Sequence, residues 1–310
     1  MAEFSMDDLM FRPGLMQGQR ILITGGGTGL GKVMAEACVM LGAQVYICGR
    51  RGGVVEATAK ELNEAHAGLA GVGHCTGVAC DIRVPEAIAE MIDTVWADGP
   101  LTGLVNNAAG NFISRTEDLS ARGFDAISNI VFRGSFFVTL ECGKRWLAQG
   151  KHASVISILT TWVWNGGPFT VPSAMSKAGL NVMTQSLAVE WGNRGIRFNA
   201  IAPGPFPTEG AWARLNPGSA EADGAAPPPP ADPTIPLGRN GEMRELANLA
   251  VYLLDPGSAY VNGQTIAIDG GSHLGGGGFG RLAEWGDAEW AAARNAIQSA
   301  NEKDRAQRTV

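Results

Sequence analysis

An apolar strand pattern, Arg20–Thr24 (RILIT), breaks into Gly25-Gly26-Gly27-Thr28-Gly29-Leu30-Gly31, and a helical pattern follows to about Leu41. This junction constrains the fold more than any other stretch. A strand that turns through glycines into a helix lets backbone N–H groups approach a pyrophosphate at the helix N-terminus. The spacing is T-G-x-x-x-G-x-G rather than the common G-x-G-x-x-G. Glycine alone proves little, because 43 of the 310 residues are glycine, about twice the usual frequency. The strand–helix setting carries the signal.

The alternation continues along the chain. Ala43–Cys48 reads as a second buried strand and is followed by a helix from about Val54 to His66. Val78–Cys80 reads as a third strand, Pro85–Trp96 as a helix, and Leu104-Val105 as a fourth strand. One long helical pattern covers Ala121–Leu147. Ser154–Leu159 is a fifth strand, with a helix beginning near Ser173 and running to about Trp191. Arg197–Ala202 is a sixth strand and Gln264–Ile268 a seventh, with a helix at Glu242–Leu254 between them. Strands that alternate with helices predict a Rossmann-type, doubly wound, parallel seven-stranded α/β sheet in a single domain. The domain is expected over 1–274, with a Pro/Ala-rich lid or insertion at 216–236 that holds four consecutive prolines, Pro227–Pro230. A Gly-rich link and a helical tail, with a helix at Ala283–Ser299, are expected over 275–310.

Charge and composition exclude several functions. The net charge of −6 leaves no basic excess for nucleic acid. No apolar run reaches the roughly 18–20 residues of a membrane span. The N-terminus is acidic and lacks an apolar signal core, so a cytoplasmic protein is expected. The five cysteines, Cys38, Cys48, Cys75, Cys80 and Cys142, read as buried free thiols of a reducing compartment. His74-Cys75 with Cys80 lacks a second ligand pair at metal spacing, so no metal is expected.

Candidate ligand-binding residues lie at the carboxyl ends of the strands. The second strand ends in Gly49-Arg50-Arg51, where an NAD enzyme usually carries an acid for the ribose 2′-hydroxyl. Two arginines there favour a 2′-phosphate, and therefore NADP(H). Asp81 ends the third strand, again on the ligand side of an open sheet. After the fifth strand, Ser173 and Lys177 stand four residues apart on one helical face. A hydroxyl and an amine presented together above a strand end make a catalytic or cofactor-holding pair.

Taken in order, TGGGTGLG at 24–31, Asp81, NNAAG at 106–110, Lys177, PGP at 203–205 and DGG at 269–271 resemble the classical short-chain dehydrogenase/reductase family. NNAAGNFISRTEDLS, FVTLECGK, PSAMSKAG, LAVEWGNRGIRFN and ELANL narrow the resemblance to the 2,4-dienoyl-CoA reductases, especially the mitochondrial type. The resemblance implies that Gly25, Gly26, Gly27, Thr28, Gly29, Leu30 and Gly31 wrap the pyrophosphate. It implies that Arg50 and Arg51 hold the 2′-phosphate and that Asp81 and Ile82 meet the adenine. Asn107, Ala108 and Ala109 would line the adenosine ribose region, Lys177 would bind the nicotinamide ribose, and Pro203, Gly204, Pro205 and Phe206 would fix the carboxamide. Arg83 and Arg214 would be candidates for the phosphates of an acyl-CoA substrate. A homotetramer is implied as well.

The departures from the family pattern fall where the chemistry belongs. The family tyrosine four before the lysine is Ser173, and the serine thirteen before that position is Thr160. The classical helix asparagine is Val131. The asparagine and tyrosine that the mitochondrial resemblance would place against the thioester oxygen are Arg133 and Trp162. Trp162 has an N–H donor but no hydroxyl. Three readings follow: an enoyl- or dienoyl-thioester reductase using Lys177, Ser173, Trp162, Arg133 and Thr160; a carbonyl reductase, which the missing tyrosine disfavours; and a nucleotide-binding sensor or scaffold without turnover.

Overall fold

A computed structural model describes residues 5–208, 235–275 and 279–308. Arg214 and all of the 216–236 segment except its last two residues lie outside the described residues. The chain divides into two units, 1–273 and 274–310. The second unit carries a long helix, Asp287–Arg308, none of whose described residues is buried.

The first unit is built on seven parallel strands: β1 (Arg20–Thr24), β2 (Gln44–Gly49), β3 (His74–Ala79), β4 (Gly103–Asn106), β5 (Ala153–Ile158), β6 (Ile196–Pro203) and β7 (Thr265–Ile268). They lie side by side in the order β3-β2-β1-β4-β5-β6-β7. The chain therefore winds outward one way from β1 to β3 and the other way from β4 to β7. The reversal between β1 and β4 leaves a crevice at the carboxyl ends of those strands, where open α/β sheets bind ligands.

Both faces of the central strands are covered, so β1, β2, β4 and β5 are buried over most of their length, whereas the edge strands β3 and β7 are only partly so. Side chains alternate between faces. Ile21, Ile23, Val45, Ile47, Val105 and Ile156 pack on α1 (Gly29–Met40), α2 (Gly52–His66) and α8 (Met243–Leu254). Leu22, Tyr46, Leu104 and Val155 pack on α3 (Pro85–Ala97) and α5 (Ser135–Gln149), where Trp146 is fully buried and donates its indole N–H to Leu101 O at 2.7 Å. A third cluster joins Leu159, Ala200 and Ala202 to α7 (Val171–Glu190).

Two local readings of the sequence are corrected by the structure. The third strand begins at His74, not Val78, because pairing with β2 from Gln44↔His74 onward overrides the weak strand propensity of a glycine-containing stretch. The long pattern 121–147 is not one α-helix. It is α4 (Ala121–Ser128), a π-helical segment Asn129–Gly134, and α5. A wide turn of this kind preserves helical direction, so apolar periodicity does not reveal it. The helix expected near Ser173 begins at Val171, with Pro172 in its first turn, where a missing N–H costs nothing. Between β5 and α7 lies a single helical turn, α6 (Trp162–Asn165).

Gly77 shows how tightly the edge strand is packed. A Cβ there would come within 2.5 Å of Val55 O and 2.8 Å of Glu56 N, both backbone atoms of α2. Gly77→Ala is therefore expected to push α2 off the sheet and to lower unfolding stability by about 1–3 kcal/mol. Urea denaturation of the two proteins measures this.

Candidate active site

The carboxyl ends of the strands open into a cleft of about 1820 Å³. Beneath it, fully buried, lies Thr24. This buried hydroxyl accepts hydrogen bonds from Asn107 N and Ala108 N, each at 3.0 Å, and donates to Val105 O at 3.3 Å. Asn107 returns its side-chain amide to Thr24 O at 2.9 Å and Gly25 O at 3.1 Å. The glycine turn and the loop after β4 are thereby locked together. Gly25 has φ +66°, and a Cβ on it would sit 2.8 Å from Ala108 Cα. Only glycine satisfies both the left-handed backbone and that approach. The cradle is lined by Gly25, Gly27, Thr28 and Gly29 and opens at the N-terminus of α1, a setting whose N–H groups suit phosphate oxygens.

Of the residues expected around the cofactor, Gly25, Gly27, Thr28, Gly29, Leu30, Arg50, Arg51, Asp81, Ile82, Asn107, Ala108, Ala109 and Pro203 to Phe206 line the cleft. Gly26 and Gly31 do not line it; each is packed under the turn, Gly26 against Ile47 and Gly31 against Asn107 and Gly25. Arg50 and Arg51 are exposed at its edge. Asp81 is engaged by Arg83, whose Nε donates to both carboxylate oxygens at 2.9 and 3.0 Å. Those bonds hold the Asp81 carboxyl below its ordinary range, and the charge of Arg50 adds to the effect. Arg83 itself lines the cleft, with its guanidinium already committed to Asp81.

Thr160, Trp162, Ser173 and Lys177 line the same cleft. Ser173 and Lys177 are buried. Lys177 donates its Nζ to the backbone oxygen of Ile158, at the end of β5. Trp162 rises from α6, and its indole packs on Gly167, where an added Cβ would come within 2.9 Å of the ring.

Arg133 does not join them. Its guanidinium donates to Arg83 O at 2.8 Å, lies over the Phe137 ring at 4.8 Å, and is not among the lining residues. The π-helical segment rephases this part of the helix, so a position counted from the sequence does not give the direction of its side chain. Asn111, which the sequence reading passed over, lines the cleft instead, its Oδ1 accepting from Phe112 N at 2.9 Å. The signal was available: Asn111 directly follows the NNAAG loop at a strand's carboxyl end. Lys32 also lines the cleft and is paired with Glu61 at 3.1 Å.

Burial lowers the Lys177 ammonium from its ordinary 10.5 to about 8. The folded state thus disfavours the charged form, and below pH 8 the whole penalty is present. As pH rises from about 8 towards 10.5, the unfolded chain still binds the proton and the folded chain does not, so this group's contribution to stability rises with pH. Lys177→Met is expected to stabilise the nucleotide-free protein at pH 7 by up to about 3 kcal/mol. That advantage should shrink towards pH 10, as paired denaturation curves at the two pH values will measure.

Comparison with known proteins agrees with this geometry. The family model described as enoyl-(acyl carrier protein) reductase matches residues 25–273. An uncharacterised oxidoreductase of Caenorhabditis elegans is 42% identical over 302 residues, 94% of this chain and 92% of the relative. A probable 2,4-dienoyl-CoA reductase, (3E)-enoyl-CoA-producing, of the same organism is 39% identical over 96% of this chain and 95% of its own length. A probable 2,4-dienoyl-CoA reductase, (2E)-enoyl-CoA-producing, of Bacillus subtilis is 38% identical over 84% of this chain and 98% of the relative. Among solved structures, a short chain dehydrogenase from Bacillus anthracis superposes with a TM-score of 0.70 at 37% identity, covering 84% of this chain and 98% of that one. A gluconate 5-dehydrogenase from Burkholderia cenocepacia in complex with NADP and tartrate gives a TM-score of 0.72 at 27% identity, over 83% of this chain and 96% of that one. With its parallel sheet, its glycine cradle and its lysine-bearing helix, the chain belongs to the short-chain dehydrogenase/reductase family of oxidoreductases and has relatives named as 2,4-dienoyl-CoA reductases.

Proposed function

We propose that the protein is an NADP(H)-dependent reductase of an enoyl- or 2,4-dienoyl-CoA thioester. The observation that carries the proposal is that Ser173, Trp162 and Asn111 line one cleft with Lys177, beside a glycine cradle and two exposed arginines, Arg50 and Arg51. The nucleotide, when bound, supplies a hydride. The cradle at Gly25–Gly29 would hold its pyrophosphate, Lys177 its nicotinamide ribose, and Arg50 with Arg51 a 2′-phosphate. A charge-assisted arginine–phosphate contact is worth roughly 1.5–3 kcal/mol, or about ten- to a hundredfold in affinity. Replacing Arg50 and Arg51 together with alanine should weaken NADPH by at least that factor and leave NADH nearly unchanged. Fluorescence titration with each cofactor checks it, and equal affinity for both in the unmutated protein would overturn the NADP(H) preference.

Hydride addition to a conjugated thioester places enolate charge on the carbonyl oxygen, and a proton taken up from solvent water at the enolate carbon completes the reduction. Such a site needs aimed hydrogen-bond donors in a dry environment more than it needs a strong acid. The Ser173 hydroxyl, the Trp162 indole N–H and the Asn111 amide all donate without ionising. The Lys177 ammonium, charged below about pH 8, favours the anion electrostatically. A carbonyl reductase must instead protonate an alkoxide, and the tyrosine that would do so is replaced by Ser173. Arg83 remains a candidate for a coenzyme A phosphate if it exchanges Asp81 for it. A homotetramer is supported by an exposed apolar stripe on α7, Met175, Val182 and Val189, with Phe136 exposed on α5. A reducing, cytoplasmic setting fits five cysteines that are all free and buried.

Stopped-flow oxidation of NADPH against dienoyl-CoA, enoyl-CoA and ketone panels tests the reaction class. Removing one oxyanion donor typically costs about 10²–10³ in turnover. Ser173→Ala should therefore slow thioester reduction by about that factor with NADPH affinity unmoved, and Trp162→Tyr should raise dienoyl-CoA turnover. If NADPH binds tightly yet no thioester or ketone oxidises it, and Trp162→Tyr restores nothing, the reductase reading fails and a nucleotide-binding sensor or scaffold takes its place.

A further inference from the structure

The turn that presents Trp162 is only four residues long, Trp162–Asn165. An isolated turn of this length is not stable by itself in water, so its pose depends on what it touches. Its inner side is accounted for by the indole of Trp162 on Gly167. Its outer side carries Trp164, a residue 45% exposed, whose ring stacks on His273 at 4.8 Å between centroids and 30° between planes. His273 is held in turn by Asp269 after β7. Asp269 Oδ2 accepts from His273 N at 2.8 Å and from His273 Nδ1 at 2.7 Å, and Oδ1 accepts from Gly271 N at 3.0 Å. A carboxylate only accepts, so these bonds fix the Nδ1–H tautomer and the plane of the imidazole. Asp269 also abuts the loop expected to fix the carboxamide. A Cβ on Gly204 would lie 2.5 Å from Asp269 Cβ, and Gly204 N donates to Ile268 O at 3.0 Å.

We propose that His273 and Trp164 are positioning residues, forming a clamp that sets the indole of Trp162 relative to the wall made by Pro203–Phe206. The clamp spans the two sides of the cleft that must agree for hydride transfer: the turn after β5 and the segment after β7. Neither ring lines the cleft, so both act through Trp162 and Gly204 rather than on substrate. The substrate half of the proposal rests on the thioester-reductase reading.

The test is a double-mutant cycle in the full-length protein with Trp164→Ala, His273→Ala and the pair, together with Trp164→Phe, which keeps an aromatic face. A donor misplaced by about 1 Å loses up to 10²-fold in rate. Each alanine variant should lower kcat for dienoyl-CoA roughly ten- to a hundredfold, with NADPH affinity within about twofold and KM changed less than kcat. The double variant should be no worse than the worse single one, since two residues that act as one unit are non-additive. Trp164→Phe should recover most of the loss. Hydrogen exchange of amides 161–167 gives a readout independent of turnover. It should quicken in both alanine variants and return towards the parent rate in Trp164→Phe. Additive losses, unchanged exchange, or a parallel fall of NADPH affinity and kcat would overturn the clamp. If the unmutated protein turns over no thioester but exchange responds as expected, the reductase reading fails and the clamp stands.

Discussion

Everything at the ligand end of the molecule depends on one hydroxyl. Thr24 closes β1, and its Oγ1 uses its donor and both acceptor sites within the protein, bonding Val105 O, Asn107 N and Ala108 N. Those partners belong to β4 and the loop after it, across the line where the winding of the sheet reverses. The strands stay paired across this line, but the loops beyond them leave in opposite directions and open a crevice. The threonine bonds them together in a buried setting, where an unmet partner would cost about 1–3 kcal/mol. The glycine cradle and the Asn107–Asn111 segment therefore share one frame, and the two sides of the cleft inherit their spacing from it.

Lys177 shows the opposite economy. It is buried, its ammonium is pushed down to about 8, and its donor contact on the protein is the backbone oxygen of Ile158. A site optimised for stability would hold an apolar side chain there. The stability that tolerates it comes from two apolar layers, with Ile21, Ile23 and Ile47 on one face of the sheet and Leu22, Tyr46 and Trp146 on the other. Nothing in the fold itself demands the lysine, which is why its presence argues for a bound partner rather than for architecture.

How much of this could be read from the residues depends on the range of the forces involved. The glycine turn after Thr24, the arginines after β2 and the four-residue spacing of Ser173 and Lys177 are local signals, and each lines the cleft. The start of β3 was not legible, because His74–Gly77 becomes a strand only by pairing with Gln44–Ile47. The direction of Arg133 was not legible either, since a π-helical segment leaves no periodic trace. Asn111 was hidden for a different reason: it lies just past a recognised loop, in a stretch with no regular period. The Trp164–His273 stack joins residues 109 positions apart in the chain, and no local pattern announces such a contact.

The same scaffold can hold different donors around one nucleotide, so fold and reaction are separate questions. What separates a carbonyl reductase from a thioester reductase here is the acidity required of the group facing the substrate oxygen. An alkoxide must receive a proton, whereas an enolate oxygen needs only to be held. Replacing an ionisable phenol by Ser173 and placing an indole N–H at Trp162 removes proton transfer to oxygen from the set of easy reactions and keeps hydrogen-bond donation. Donation, unlike proton transfer, is useful only when aimed. A serine on the long helix α7 is aimed by the helix itself. An indole on a single turn is not, and a donor at Trp162 would need something rigid behind it, the part proposed above for the stack of Trp164 on the Asp269-bound His273.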